Sequence, residues 1–121
     1  GLGWAVKMRK NIPFRGREAV AAQRESGVRK MLATFTAAPE VILNGRETIY
    51  RDGVRVGWLS SGGFGHWLNR SIGMGYVRNP AGVSAEYVLS GRYELEVATV
   101  RVPCEVTLSP LYDPEMARIK A

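Results

Sequence analysis

The sequence predicts a mainly β fold, a small sandwich or barrel entered through one short helix. Three observations predict it. Apolar residues recur with a period of two from Arg29 onward, turn-forming pairs interrupt them at short intervals, and one stretch near the start has helical composition. With 121 residues, 45% of them hydrophobic and 23% charged, the chain is long enough for one core and too short for two.

Taken in order, GLGWAV reads as a short opening strand. Phe14-Arg15-Gly16-Arg17 leads into EAVAAQRESG, whose Ala, Gln, Arg and Glu content favours helix and whose Gly27 suits the left-handed position past a helix end. Met31, Ala33 and Phe35 then alternate with Leu32, Thr34 and Thr36. Val54, Val56 and Trp58 alternate with Arg55 and Gly57. Turn signals at Asn44-Gly45, Asp52-Gly53, Gly62-Gly63, Asn79-Pro80 and Ser90-Gly91 separate these runs. In TIYRDGVRVGWL, Asp-Gly can supply both positive-φ residues of a type I′ hairpin. A second hairpin is expected at Ser90-Gly91, between AEYVL and YELEV. The last strand, VRVPCEVTL, presents Val100, Val102, Cys104, Val106 and Leu108 on one face, and its Pro103 marks an edge or bulge. The tail PLYDPEMARIK closes the chain.

Composition narrows the functional classes. The net charge of +6 resides in residues 1–30, where Lys7, Arg9, Lys10, Arg15, Arg17, Arg24, Arg29 and Lys30 face only Glu18 and Glu25; the remaining residues balance. A nucleic-acid module would carry a basic stripe interleaved with aromatics across its body, so nucleic acid is not an expected partner. No apolar run has the length to cross a bilayer, and GLGWAVKMRKN lacks the apolar stretch of a signal peptide. No membrane partner is expected. The absence of an initiator Met suggests a piece of something longer. One cysteine excludes an internal disulfide and, with one histidine, a zinc site built from thiolate and imidazole alone. Cys104 is expected in the core.

Groups that could carry chemistry are few. His66, between Gly65 and Trp67, has a side chain that titrates near neutrality, but without a partner it reads as a loop imidazole bonded to backbone. SSGGFG lacks the Lys-Ser/Thr ending of a phosphate-binding loop, and its glycines suit a tight turn or a close backbone approach. Ser60 and Ser61 have no visible base. Asp113 and Glu115 lie among prolines and read as caps of a short terminal helix. Trp58, Trp67, Tyr76, Tyr87 and Tyr93 read as core and rim residues. The cluster of Trp4, Lys7, Arg9 and Lys10 is the one candidate binding feature: its cations suit carboxylates, and an indole can pack on a flat ring. No catalytic residue and no metal site is predicted.

GLGWAVK, FRGREAVAAQRESGVRKML, YRDGVRVGWLSSGGFGHWLNRSIGMGYV and SPLYDPEMARIK, in this order and spacing, resemble the end of the aminomethyltransferase family of the glycine cleavage system, the T-protein family. The resemblance covers nearly the whole chain. It implies a small Greek-key β-barrel over residues 29–121, preceded by a basic connecting strand and helix over residues 1–28. VSAEYVLSGRYELEV and the SGGFGH segment resemble the sarcosine and dimethylglycine dehydrogenases more than the free-standing T-protein. That likeness implies a parent flavoprotein in which FAD, bound upstream, oxidises an N-methyl amine and tetrahydrofolate captures the one-carbon unit. It also implies that Trp4, Lys7, Arg9 and Lys10 lie on the folate side, that the upstream domains of the same chain are partners, and that the fragment itself is non-catalytic. The protein would reside in the cytoplasm if bacterial or in the mitochondrial matrix if eukaryotic. Trp67 and Asn69 depart from the family, whose members often carry a small or polar residue and Gly there. Two alternatives stand beside this reading: the end of a plain aminomethyltransferase, and a stand-alone β-barrel interaction module for an anionic partner.

Overall fold

Six antiparallel strands close into a barrel, because every strand finds a hydrogen-bonding neighbour on both sides. The computed structural model describes residues 3–10 and 12–120, with the side chain of Trp4 outside that description. The strands are β1 (Lys30–Ala37), β2 (Thr48–Arg51), β3 (Val54–Gly65), β4 (Arg70–Arg78), β5 (Tyr93–Val97) and β6 (Val100–Thr107), and their order around the barrel is β1-β4-β3-β2-β5-β6. The run β2-β3-β4 is hairpin-connected, and β1 reaches it through the long connection 38–47 to lie beside β4, which is a Greek key. A helix, α1 (Arg17–Ser26), precedes the barrel. A second, α2 (Ala85–Ser90), lies in the crossover from β4 to β5.

Period-two alternation buries Ala33, Phe35 and Ala37 of β1, and Ala33 and Phe35 join a core with Ile49, Leu59, Val77, Leu95 and Tyr93 from other strands and Val88 from α2. Burying side chains of the Leu, Ile, Val or Phe type contributes about 1.5–3 kcal/mol each. Phe35 and Tyr93 meet edge to face at 5.4 Å between ring centroids.

Strict alternation would keep Trp58 on the inward face with Val56. The β2–β3 ladder instead shifts register between Ile49 and Tyr50, pairing Ile49 with Gly57 and Tyr50 with Arg55. This bulge turns Val56 and then Leu59 inward and leaves Trp58 43% exposed.

Asp52 (φ 50°) and Gly53 (φ 80°) form the expected hairpin turn. Pro103, expected at an edge or bulge, pairs with Glu94 of β5 and lies beyond the stretch of β6 that pairs with β1, so it faces no β1 residue in the ladder. Cys104 packs against the core. Asp113 caps the end of the chain as expected, its carboxylate accepting from the amides of Ala117 (2.8 Å) and Arg118 (3.1 Å) ahead of a 3₁₀ turn, Arg118–Lys120.

Three local expectations are corrected. Of the expected opening strand, Gly1 and Leu2 lie outside the described residues and the rest is not a strand: Gly3–Ala5 is a 3₁₀ turn closed by the Val6 amide on the Gly3 carbonyl at 3.3 Å. A closed barrel offers no free edge for a further strand. Ser90-Gly91 is not a hairpin turn, because Ser84 caps α2 by accepting from the Tyr87 amide at 3.0 Å and Val88 anchors the helix in the core. The hairpin falls later, at Ala98 (φ 47°) and Thr99 (φ 70°), two residues without the Asn or Gly preference of such turns. SSGGFG is not a loop, since Ser61–Gly65 ladder onto Met74–Arg70 as the second half of β3 and the chain turns at residues 66–69. Its Gly62 does serve close approach: a Cβ there would sit 2.6 Å from the Leu43 carbonyl oxygen and 2.9 Å from the Gly45 nitrogen.

Candidate functional site

The antiparallel register of β1 and β4 sets Lys30 directly opposite Arg78 and Leu32 opposite Tyr76. Where these strands meet the leading segment, a groove of about 930 Å³ opens between the barrel and α1. Gly3, the first residue of the 3₁₀ turn, and Val6, just after it, form part of its wall, and Val20, Gln23 and Arg24 come from α1. Four cations line it: Arg24, Arg29, Lys30 and Arg78. Lining carboxylates are absent, and among the described residues none of the four cations has an acidic side chain within salt-bridge distance.

Aromatic rings organise two of these cations. Lys30 Nζ lies 4.9 Å from the Tyr76 ring centroid, and the Arg78 guanidinium lies 4.0 Å from that of Trp58. Arg78 Nη1 also donates to the Tyr76 carbonyl at 3.4 Å. Such contacts hold a cation without neutralising it, so the groove keeps its positive charge and is suited to carboxylates beside a flat group.

The predicted cluster divides. Lys7, Arg9 and Lys10 are exposed on the turn after the 3₁₀ segment and are not groove-lining residues, whereas Gly3 and Val6 are. Arg17, at the start of α1, holds this basic turn through main-chain carbonyls: Met8 at 2.8 Å, Lys10 at 3.0 Å and Ile12 at 3.3 Å. Sequence reasoning counted Arg24, Arg29 and Lys30 as charge but did not single them out, and it missed Arg78 and its pairing with Trp58. The contiguous Arg29-Lys30 was a visible signal. Arg78 has none, because only strand register brings it to Lys30.

Other candidate groups stand apart. His66 is exposed and meets Phe64 edge to face at 5.1 Å; among the described residues no backbone hydrogen bond reaches it, contrary to expectation, because the turn leaves it in solvent. Trp67, of the residues read as core and rim, is 70% exposed; it meets Tyr112 edge to face at 5.4 Å, and the Arg118 guanidinium of the tail lies 4.7 Å from its ring. Burial, with the nearby Glu94 and Glu105, pushes the Cys104 thiol up to about 12, so it is no nucleophile at neutral pH. No group of three or more metal-ligating side chains occurs among the described residues.

Residues 30–113 match the family model described as the glycine cleavage T-protein C-terminal barrel domain. The chain belongs to this family. Its relatives include sarcosine dehydrogenase, mitochondrial, of Mus musculus, 38% identical over 122 residues that cover 99% of this chain and 13% of that protein. An aminomethyltransferase of Thermosipho melanesiensis is 30% identical over 112 residues, covering 93% of this chain and 29% of the other. The crystal structure of glycine cleavage system aminomethyltransferase T from Bartonella henselae shares the fold of this T-protein barrel, with a TM-score of 0.68 at 20% identity over 84% of this chain and 27% of that one. The barrel thus spans only a small fraction of the length of the curated relatives it matches. No helix among the described residues is long and apolar enough to cross a membrane.

Proposed function

We propose that this barrel is the carboxy-terminal, folate-side module of a multidomain, FAD-dependent protein resembling sarcosine and dimethylglycine dehydrogenases. In this reading residues 1–28 are a basic connecting segment and residues 29–121 the barrel, and the partners are the upstream domains of the same chain. The observation that carries it is the match to sarcosine dehydrogenase along 99% of the chain. The uncompensated cations beside Tyr76 support the folate side of it, because they fit the carboxylates and flat ring of that ligand. The mitochondrial description of that relative favours the matrix, and the bacterial cytoplasm is the counterpart in a prokaryote.

Tetrahydrofolate, when bound, supplies the acceptor for a one-carbon unit. The role of this chain is to bind and orient. Arg24, Arg29 and Lys30 hold carboxylates, Tyr76 offers a ring face, and Arg17 keeps Lys7, Arg9 and Lys10 at the approach. The described residues form an antiparallel barrel without a parallel βαβ unit of the kind that cradles a dinucleotide, which supports the reading that FAD is bound by upstream domains.

The test is equilibrium binding of tetrahydrofolate to the full-length protein. R29E/K30E should weaken it at least about tenfold, the effect of losing one charge-assisted contact. Unchanged affinity would remove the folate role of the groove. The same experiment with charge reversal at Lys7, Arg9 and Lys10 measures the outer turn separately. A second reading, a plain aminomethyltransferase, is favoured by the Thermosipho melanesiensis match. The visible spectrum of the purified parent distinguishes the two, since only the first carries flavin.

A further inference from the structure

Lys30 and Arg78 form a directly opposed cross-strand pair of like charge. Such a pair destabilises a sheet unless something offsets it. Here each cation is turned onto an aromatic ring, Lys30 onto Tyr76 and Arg78 onto Trp58. Two contacts hold the Arg78 guanidinium, the Trp58 indole at 4.0 Å and the Tyr76 carbonyl at 3.4 Å, and the bare Gly57 leaves room for it, since a Cβ there would clash with the Tyr76 carbonyl and approach Arg78 Nη1 to 3.2 Å. Among the described residues, one of its five N–H donors is used and no carboxylate lies within salt-bridge distance. A guanidinium so held, on the wall of a groove, is preorganised for an anion that the barrel does not itself provide.

We propose that Arg78 is a carboxylate-recognition residue of the groove and Trp58 its positioning residue, the pair selecting ligands with a carboxylate at the β4 end. The inference rests on the folate-side reading, in which that carboxylate is on the glutamate moiety of the ligand. The bulge that turns Trp58 outward is what makes the pair possible. An anion between Lys30 and Arg78 would also relieve their repulsion, which makes the site most favourable when both cations are engaged.

The experiment compares binding of tetrahydrofolate and tetrahydropteroate, which lacks the glutamate, to the full-length protein and its variants. R78L should weaken tetrahydrofolate on the order of 10–100-fold and leave tetrahydropteroate within about twofold. W58L should weaken tetrahydrofolate about threefold or more, W58F should restore most of that loss by retaining a ring face, and W58L should add nothing in an R78L background. Equal losses for the two ligands would overturn the carboxylate role. A W58L effect that persists without Arg78 would overturn the positioning role, and a merely structural Trp58 would produce that result. Wild-type protein that binds neither ligand would defeat the folate-side reading and this inference with it, whereas wild-type binding with R78L unaffected would defeat this inference alone.

Discussion

Arg51 should be the most costly exchange of a charged residue in this barrel, because it ties α2 to the β2–β3 hairpin. Its side chain is only 17% exposed. Nε donates to the Tyr87 carbonyl at 3.1 Å, Nη2 to Ser90 Oγ at 3.2 Å, Nη1 pairs with Asp52 at 2.6 Å, and the guanidinium stacks on Tyr87 at 4.1 Å. R51M keeps the aliphatic stem and removes all of these. The charged hydrogen bond to a carbonyl contributes about 1.5–3 kcal/mol. The ring contact adds about 0.5–1 kcal/mol, and the partly exposed ion pair with Asp52 adds between about 0 and 1 kcal/mol. Because one group makes them all, they overlap, and a loss of about 2–4 kcal/mol is expected. For a chain of 121 residues, about 4 °C of Tm is lost per kcal/mol, so the melt should fall by about 8–16 °C. Circular dichroism melts and urea titrations of the wild type, R51M and D52N measure it. D52N should cost less than about 1 kcal/mol, since it removes only the ion pair and Asn suits the positive φ of the turn. A fall below about 1 kcal/mol in R51M, or an equal cost in D52N, would refute the assignment of the main effect to the Tyr87 carbonyl and ring.

Two neighbouring glycines should behave oppositely. G62A drives a Cβ against the Leu43 carbonyl and Gly45 nitrogen and should cost about 1–3 kcal/mol, whereas G63A, facing open space, should stay within about 0.5 kcal/mol in the same titrations. Stability should also fall in alkali. Burial raises the Cys104 thiol from 9.0 and the Tyr93 phenol from 10.0, each to about 12, the latter despite the nearby Arg51. The unfolded chain therefore releases these protons first, so stability is intact below about pH 9 and declines as the pH rises toward 12. C104V should flatten the first part of that decline, and urea midpoints that do not change between about pH 8 and pH 11 would contradict it.

Legibility followed locality. The helix at Arg17–Ser26, the Asp52-Gly53 hairpin and the alternation along β1 rest on residues close in sequence, and the sequence alone shows all three. Ser84 was an equally local cap, but AEYVLS has enough strand character to mask a two-turn helix whose anchor, Val88, is decided by distant core residues. SSGGFG reads as a loop because glycine weakens strands, and only the crossing of the 38–47 connection reveals why bare backbone is needed there. In the candidate site, the basic leading segment was visible as charge. Its division into an outer turn, held by Arg17, and a groove-lining set was not.

By itself the sequence determined the mainly β class, the family and the location of the excess charge, because composition, period and motif order are properties of neighbouring residues. Tertiary structure alone decided which cations meet. Lys30 and Arg78 are 48 positions apart and become partners only through the β1–β4 register, and Trp58 reaches Arg78 only because a bulge reverses the face on which period two would put it. Register is a collective outcome of closing six strands around one core, so no local pattern could have announced the pair.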